Sequence, residues 1–515
     1  MTDIEGLAKK GTALPLLGCI DRREDRAVTL PSASFYDTLA MFAAAFTTPT
    51  YNNFVTIAIS WLFARDRHTI SQAVRVGLSL GFSKHHSVLY RFFSRAKWAT
   101  DELGRQLFLR CLPFVGRIIF ALVDDTLCRK TGPQLWGGGM HHDAAASSYG
   151  RCASGRRHVA FAFGHNWVIL SIWVPFPWNP DRGVAIPVLF RIYRSKKTSP
   201  KQDYRKRTVL AFEMLQVLRE WTLDVGRTVM VIGDSEYSCK TLVKKLPSGF
   251  EFTGPIPLDA ALFDFPEPRR KGQRGATRKK GRQLPSPKQL IADDSVPWRP
   301  LKATLYGRQV SILVKSLECL WYRVSGTRKV RVVITRDPDG VLDDRAFFST
   351  REGITDEELL SWFSRRWSLE VTFYNAKQSL GLEDPQNGWW RRNRKRRGKK
   401  RAGPQARGSR GRRAVERTAP VILYLLGTIY LWYFEHGDPA MDVAIARAQA
   451  PWYRQKTEPC FADMLAALKR DLEAVDELPI DPVGTWVMQE LKAGRIQPMP
   501  KRASGGQCVC ERAKL

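Results

Sequence analysis

The 515-residue chain predicts a mixed α/β fold that carries a β-rich insertion and lies between a helical N-terminal region and a helical C-terminal extension. Three observations carry this expectation. Amphipathic helical runs fill residues 34–112. From Arg117 to Lys245, apolar runs of strand length alternate with helical periodicity. Between Glu251 and Thr350 a proline-rich basic stretch, followed by strand-like runs, interrupts that alternation.

In chain order, the first helical runs are Phe35 to Phe46, Phe54 to Arg65 and Ile70 to Leu80. Gly81 breaks the pattern, and a second basic helix is expected from Ser83 to Phe93. Helix, glycine turn and basic helix suit a helix-turn-helix unit, and an ordinary helical bundle has the same pattern. Strands are expected at Ile118 to Asp125, His158 to Val174 and Ala185 to Tyr193. A helix from Tyr204 to Trp221, a strand from Val229 into Asp234 and a helix near Tyr237 to Lys245 complete the first α/β segment. The insertion shows strand-like runs at Leu301 to Leu317, Leu320 to Val324 and Val330 to Thr335.

Thr355 precedes Asp356, Glu357 and Glu358, which marks it as an N-cap with acids in the first turn. One helix should continue from there through Glu370 to Lys377, ending near Gly381 before Glu383-Asp384-Pro385. Residues Pro420 to Phe434 are apolar but shorter than the roughly 20 residues that span a bilayer, so a buried helix on the sheet is expected and no membrane partner. Helices at Phe461 to Val475 and Val483 to Ala493 close the chain. The expected domains are 1–115, 116–250, 251–350, 351–450 and 451–515.

Charge sets the class of partner. With 82 Lys and Arg against 50 Asp and Glu, the formal charge is +32, which calls for a polyanion such as double-stranded DNA. Residues 391–413 hold 13 Lys and Arg and no acid, and residues 269–282 hold 8. Because the rest of the chain remains basic, a DNA-tracking surface fits better than basic tails alone. The basic helix after Gly81 could then enter a groove. Arg391, Arg392, Arg394, Lys395, Arg396 and Arg397 are expected to meet phosphates from a loop too poor in apolar residues to fold alone. A small-molecule enzyme or a purely structural role is hard to reconcile with this charge. Nine scattered cysteines without a CxxC pair read as reduced thiols of a cytoplasmic protein. Cys508 and Cys510 read as part of a tail, and His141-His142-Asp143 as a polar turn after a glycine-rich loop.

Three carboxylates stand out chemically. Asp124-Asp125-Thr126 and Asp234-Ser235-Glu236 each follow an apolar strand, and Glu370 lies on a helix with Arg366 and Lys377. At about 100° per residue, Phe363, Arg366, Glu370 and Lys377 project within an arc of about 60°. An Arg366–Glu370 ion pair on a solvated helix would produce the same pattern. Carboxylates gathered from two strands and a helix need a counter-charge, and a pair of divalent ions supplies it. Oxygen ligands favour Mg²⁺ or Mn²⁺ over zinc.

With these residues in place, the chain resembles the DDE transposases of bacterial insertion sequences. One branch of them carries a Tyr-x2-Arg-x3-Glu-x6-Lys signature. Here it reads Phe363-x2-Arg366-x3-Glu370-x6-Lys377, with phenylalanine at the first place. An aspartate before Thr126 points to Asp125 over Asp124, and Asp234 with Tyr237 matches the context of the second aspartate. The gaps are 109 and 136 residues, the longer one leaving room for a β insertion. The resemblance spans roughly residues 60–440 and implies an RNase H-like catalytic domain in which Asp125, Asp234 and Glu370 hold two Mg²⁺ or Mn²⁺ ions. It further implies that Arg366 and Lys377 hold phosphates, and that Trp298, Trp321 or Tyr322 could stack on an unpaired base. The implied activity is cleavage at transposon ends and strand transfer into target DNA by a homodimer in a bacterial cytoplasm. A non-catalytic DNA-binding regulator and an RNase H-like nuclease without strand transfer are the alternatives.

Overall fold

The computed structural model describes residues 33–131, 135–147, 158–197, 199–269, 275–340, 342–385 and 408–474. The sequence-expected contacts at Arg391, Arg392, Arg394, Lys395, Arg396 and Arg397, the helix at 483–493, and Cys508 and Cys510 lie outside these residues.

Five helices open the described chain: α1 (Ala33–Ala40), α2 (Thr48–Leu62), α3 (Ile70–Ser79), α4 (His86–Ser94) and α5 (Thr100–Cys111). Their ends follow local chemistry. The Thr69 hydroxyl accepts the Gln72 N–H at the start of α3, and Gly81 takes φ of +87° just past its end, as the sequence led one to expect. The first run breaks into two pieces, because α1 stops at Ala40 and a short 3-10 turn follows at Ala43–Ala45.

The strands are β1 (Ile118–Arg129), β2 (Gly139–His142), β3 (Phe161–Phe176) and β4 (Asn179–Tyr193). They are followed by α6 (Arg207–Thr222), β5 (Thr228–Gly233), α7 (Lys240–Val243) and β6 (Phe250–Pro255). β1 pairs antiparallel with β3 and parallel with β5, and β5 pairs parallel with β6. This α/β arrangement matches the fold class read from the sequence. β2, where a polar turn was expected, is a real strand: Gly139 to His142 pair with Gly164 to Phe161.

The insertion brings β7 (Leu262–Phe263), β8 (Gln283–Leu284), α8 (Pro287–Ala292), β9 (Arg299–Leu305) and β10 (Arg308–Cys319). It ends with α9 (Tyr322–Ser325), β11 (Val330–Arg336) and β12 (Arg345–Ser349). Its longer strands do not form a sheet of their own. β12 pairs with β6, and β12-β11-β10-β9 extend the first sheet into one of ten strands. The expected strand Leu320 to Val324 is largely the short helix α9, with Leu320 keeping a single bridge to Phe263.

Thr355 caps α10 (Asp356–Ser364) as expected, its hydroxyl accepting the Glu358 N–H while Glu358 reaches back to the Thr355 N–H. The single helix expected from Thr355 to Lys377 is instead two. α11 (Trp367–Ser379) restarts after a tight turn in which the N–H groups of Arg365 and Arg366 bond to carbonyls three residues back. No proline or glycine marks this break. Phe363, the last aromatic residue before the break, packs against Phe347, their ring centroids 4.7 Å apart.

α12 (Ser409–His436), α13 (Pro439–Gln449) and α14 (Phe461–Glu473) complete the description. α12 is longer than the apolar run suggested and has the length and composition of a membrane span, but most of its apolar stretch is buried inside the protein. Its Tyr424 hydroxyl donates to Thr100 O at 2.7 Å and to Val188 O at 3.2 Å, and Gly427 sits against Ile186 and Leu107. A glycine there lets the helix backbone approach β4. The core continues through both faces of the central strands, where Ile119 to Val123, Val168 to Leu170 and Val229 to Ile232 are buried.

Candidate active site

The acidic residues meet where β5 ends and in the middle of β1, which does not stop at Asp125 as expected but runs on to Arg129 because Thr126 to Arg129 keep pairing with β3. Successive residues of a strand point to opposite faces, so Asp124 and Asp125 part company at once. Asp124 follows Phe120 and Leu122 onto the face covered by α10 and α11: Phe120 packs on Trp362, and Asp124 Oδ2 accepts from Arg366 Nη1 at 2.9 Å. The other end of the same guanidinium, Nη2, donates to Glu370 Oε1 at 2.7 Å. Arg366 thus bridges two carboxylates from β1 and α11 and is itself only 20% exposed. The remaining Asp124 oxygen accepts the Asp125 N–H at 2.8 Å.

Asp125 leaves β1 toward α6. Its Oδ2 accepts from Asn166 Nδ2 at 2.7 Å and lies 3.5 Å from Arg207 Nε, while its Oδ1 faces the Tyr237 hydroxyl at 3.4 Å. Arg207 Nη1 also reaches both oxygens of Glu236, at 3.3 and 3.1 Å. Two pairs of acids, each joined by one arginine, therefore flank the same strand.

Asp234 stands just past the end of β5 and belongs to both surroundings. Its Oδ1 accepts the backbone N–H groups of Glu236 and Tyr237, a turn that fixes the carboxylate where the parallel strand stops. Burial raises the Asp234 carboxyl above the usual range; the two backbone bonds oppose the rise, and the charge of Asp125 adds to it. Burial likewise pushes Asp124 up to about 7, with Arg366 opposing and the charges of Asp234 and Asp125 contributing. Glu236 is raised in the same way, chiefly by burial. The electrostatics are those of too many acids in too little water.

The structure brings Arg366 to Glu370 as their spacing allows, but Arg366 is turned inward. Lys377 is also directed to the protein: its Nζ donates to Leu127 O at 2.8 Å, tying α11 to the far part of β1. The aromatic candidates are similarly engaged. Trp298 lies under the cations of Lys315 and Arg336, Trp321 is buried against Phe348, and Tyr322 has Lys280 over its ring. Arg207, Asn166 and Glu236 escaped sequence reading because their meeting depends on register and on packing. One local signal existed: Lys206 and Arg207 place two cations at the start of a helix with no acid in its first turn.

Asp124, Asp125, Asp234 and Glu370 offer the hard oxygen donors that Mg²⁺ or Mn²⁺ prefers, and a divalent ion would offset the burial, and the lesser like-charge repulsion, that raise Asp124 and Asp234. The donor chemistry fits such an ion. Among the described residues, however, no three metal-ligating side chains are already gathered closely enough to hold one.

No curated protein matches the chain. A family model described as DDE superfamily endonuclease matches residues 41–312. That span contains Asp124, Asp125 and Asp234 and stops before Glu370. The family, the mixed sheet and the carboxylates gathered on β1, after β5 and on α11 agree, and the chain belongs to the DDE superfamily endonucleases, nuclease-type enzymes that act on DNA and generally use divalent metal ions.

Proposed function

We propose that this protein is a DNA transposase that cuts the ends of a mobile element and joins them to target DNA. The observation that carries the reading is the convergence of Asp234 with the acids of β1 and with the Arg366–Glu370 pair where β5 stops beside β1. Asp125, Asp234 and Glu370 would hold the ions. Bound there, Mg²⁺ or Mn²⁺ would supply an activated water or 3′-hydroxyl and charge stabilisation of the leaving oxygen. Asp124, with both oxygens already bonded, anchors Arg366, and Arg366 in turn orients Glu370. Lys377 fixes α11 against β1. The basic residues of 391–413 would contact phosphates without regard to sequence. Two copies would bring two terminal repeats together.

A second assignment within this reading exchanges Asp124 for Asp125. The shared guanidinium favours it, because Asp124 and not Asp125 lies on the Glu370 side of β1.

The test is a cleavage and strand-transfer assay in Mg²⁺ and Mn²⁺ on DNA bearing the sequences that flank the gene, beside Glu370→Gln. Cutting and joining that vanish in the variant, with DNA affinity kept, support the proposal. Cut ends without joined product would identify a nuclease, and tight binding without cutting in either metal a regulator.

A further inference from the structure

Arg207 occupies a position that local helix physics disfavours. It is the first residue of α6, follows Lys206 and has no acidic neighbour in the first turn, so its cation faces the positive end of the helix dipole. It is nevertheless largely enclosed, with 24% of its side chain exposed. Its guanidinium stacks over Tyr193 at 4.5 Å, and Nη1 grips the two oxygens of Glu236 at 3.3 and 3.1 Å. Nε donates to Asn166 Oδ1 at 3.2 Å.

That last bond has a directional effect. Asn166 is buried in β3, and a buried amide offers a carbonyl oxygen at one end and a donor at the other. With Arg207 on the oxygen, the Nδ2 end is turned to Asp125 Oδ2 at 2.7 Å. Reversing the amide would set two donors against each other and an oxygen against a carboxylate. His141 lies beside this network: it is buried, its ring lies 5.9 Å from Tyr193, and its Nε2 meets no hydrogen-bond partner among the described residues.

We propose that Arg207 and Asn166 are positioning residues that set the orientation of the Asp125 carboxylate for divalent-ion binding. This rests on the reading of Asp125 as a metal ligand. The relay runs from the start of α6 through β3 to β1 and needs no contact of Arg207 with DNA. Outer partners that orient a ligand typically change metal affinity by about 10- to 100-fold when removed.

Mn²⁺ titration of the full-length protein by calorimetry, without DNA, tests this in Arg207→Lys, Asn166→Ala and Asp234→Asn. DNA affinity, kcat, KM for DNA and the circular dichroism spectrum are measured alongside. Arg207→Lys keeps the charge and removes the fork; Asn166→Ala removes the relay and leaves Arg207 in place. The expected result is Mn²⁺ binding weakened about 10-fold or more in both, with kcat reduced at constant KM and constant DNA affinity. Unchanged Mn²⁺ affinity in both, with binding lost in Asp234→Asn, would overturn the positioning role and leave the metal reading intact. Unchanged binding in all three would overturn the metal reading and this proposal with it. Loss of DNA affinity with Mn²⁺ binding intact would reassign Arg207 to a phosphate contact and overturn the proposal. If one positioning variant fails to fold, the other carries the test.

Discussion

Asp124 and Asp125 are neighbours in the chain and strangers in the structure. Asp124 looks toward α11, where one arginine joins it to Glu370; Asp125 looks toward α6, where another joins it to Glu236. The two faces use the same device to different ends. On the α11 face the arginine bonds both acids directly and the Asp124 oxygens are fully used. On the α6 face an asparagine bonds both arginine and aspartate, which themselves lie 3.5 Å apart, and one Asp125 oxygen has only a long contact with Tyr237. Two adjacent acids of identical chemistry acquire different partners from strand alternation alone.

The sharpest way to break this comparison is to neutralise each aspartate in turn. Asp125→Asn should abolish cleavage, while Asp124→Asn, which loosens Arg366 without removing a ligand, should retain a measurable fraction, about a tenth or less. The opposite ranking in a Mg²⁺ cleavage assay exchanges the two roles and makes the α11 face the ligand face.

A smaller effect separates the faces by pH. The folded-state pKa of Asp124, about 7, lies above the ordinary value of 3.8, so protonation favours the folded state. The contribution of Asp124 is fully present below about pH 4 and is lost as pH rises through about 7. In chelator, the thermal stability of the wild type should therefore fall relative to Asp124→Asn across that window, and Mg²⁺ should reduce the difference. A difference that stays flat from pH 4 to pH 8 would mean that Asp124 is not confined as described.

The smallest effect concerns the support of α11. Thr355→Ala removes the cap of α10 and should cost about 1 kcal/mol in denaturant unfolding. Cleavage by the folded protein should be little changed, because the turn at Arg365 and Arg366 separates the two helices. A large loss of activity without a stability change would show that α10 and α11 move as one.

Much of this centre could be read in advance for a physical reason. The apolar run before Asp-Ser-Glu announces a strand end, and Thr355 followed by Asp-Glu-Glu announces a helix start, because those signals are local; Asp-Asp marks no such end, since pairing with β3 carries β1 on to Arg129. What escaped was non-local or unmarked. The break between α10 and α11 has no helix-breaking residue. β2 pairs with a strand some twenty residues downstream, and Arg207 meets Asp125 only after β1, β3 and α6 have been assembled. The insertion was legible as strands but not as a continuation of the first sheet, since the pairing of β12 with β6 joins residues about ninety apart.

That continuation has a consequence for solubility. Had the chain stopped at β6, a hydrophobic strand would have presented its unpaired margin to any other extended chain. With β12, β11, β10 and β9 added, the margin is moved to β9, which carries Arg299, Pro300 and Lys302; at the other side β4 carries Pro180 and Pro187. Proline offers no N–H to an incoming strand and charged side chains discourage its approach. The insertion thus does for the sheet what a selvedge does for cloth, finishing a border against self-association.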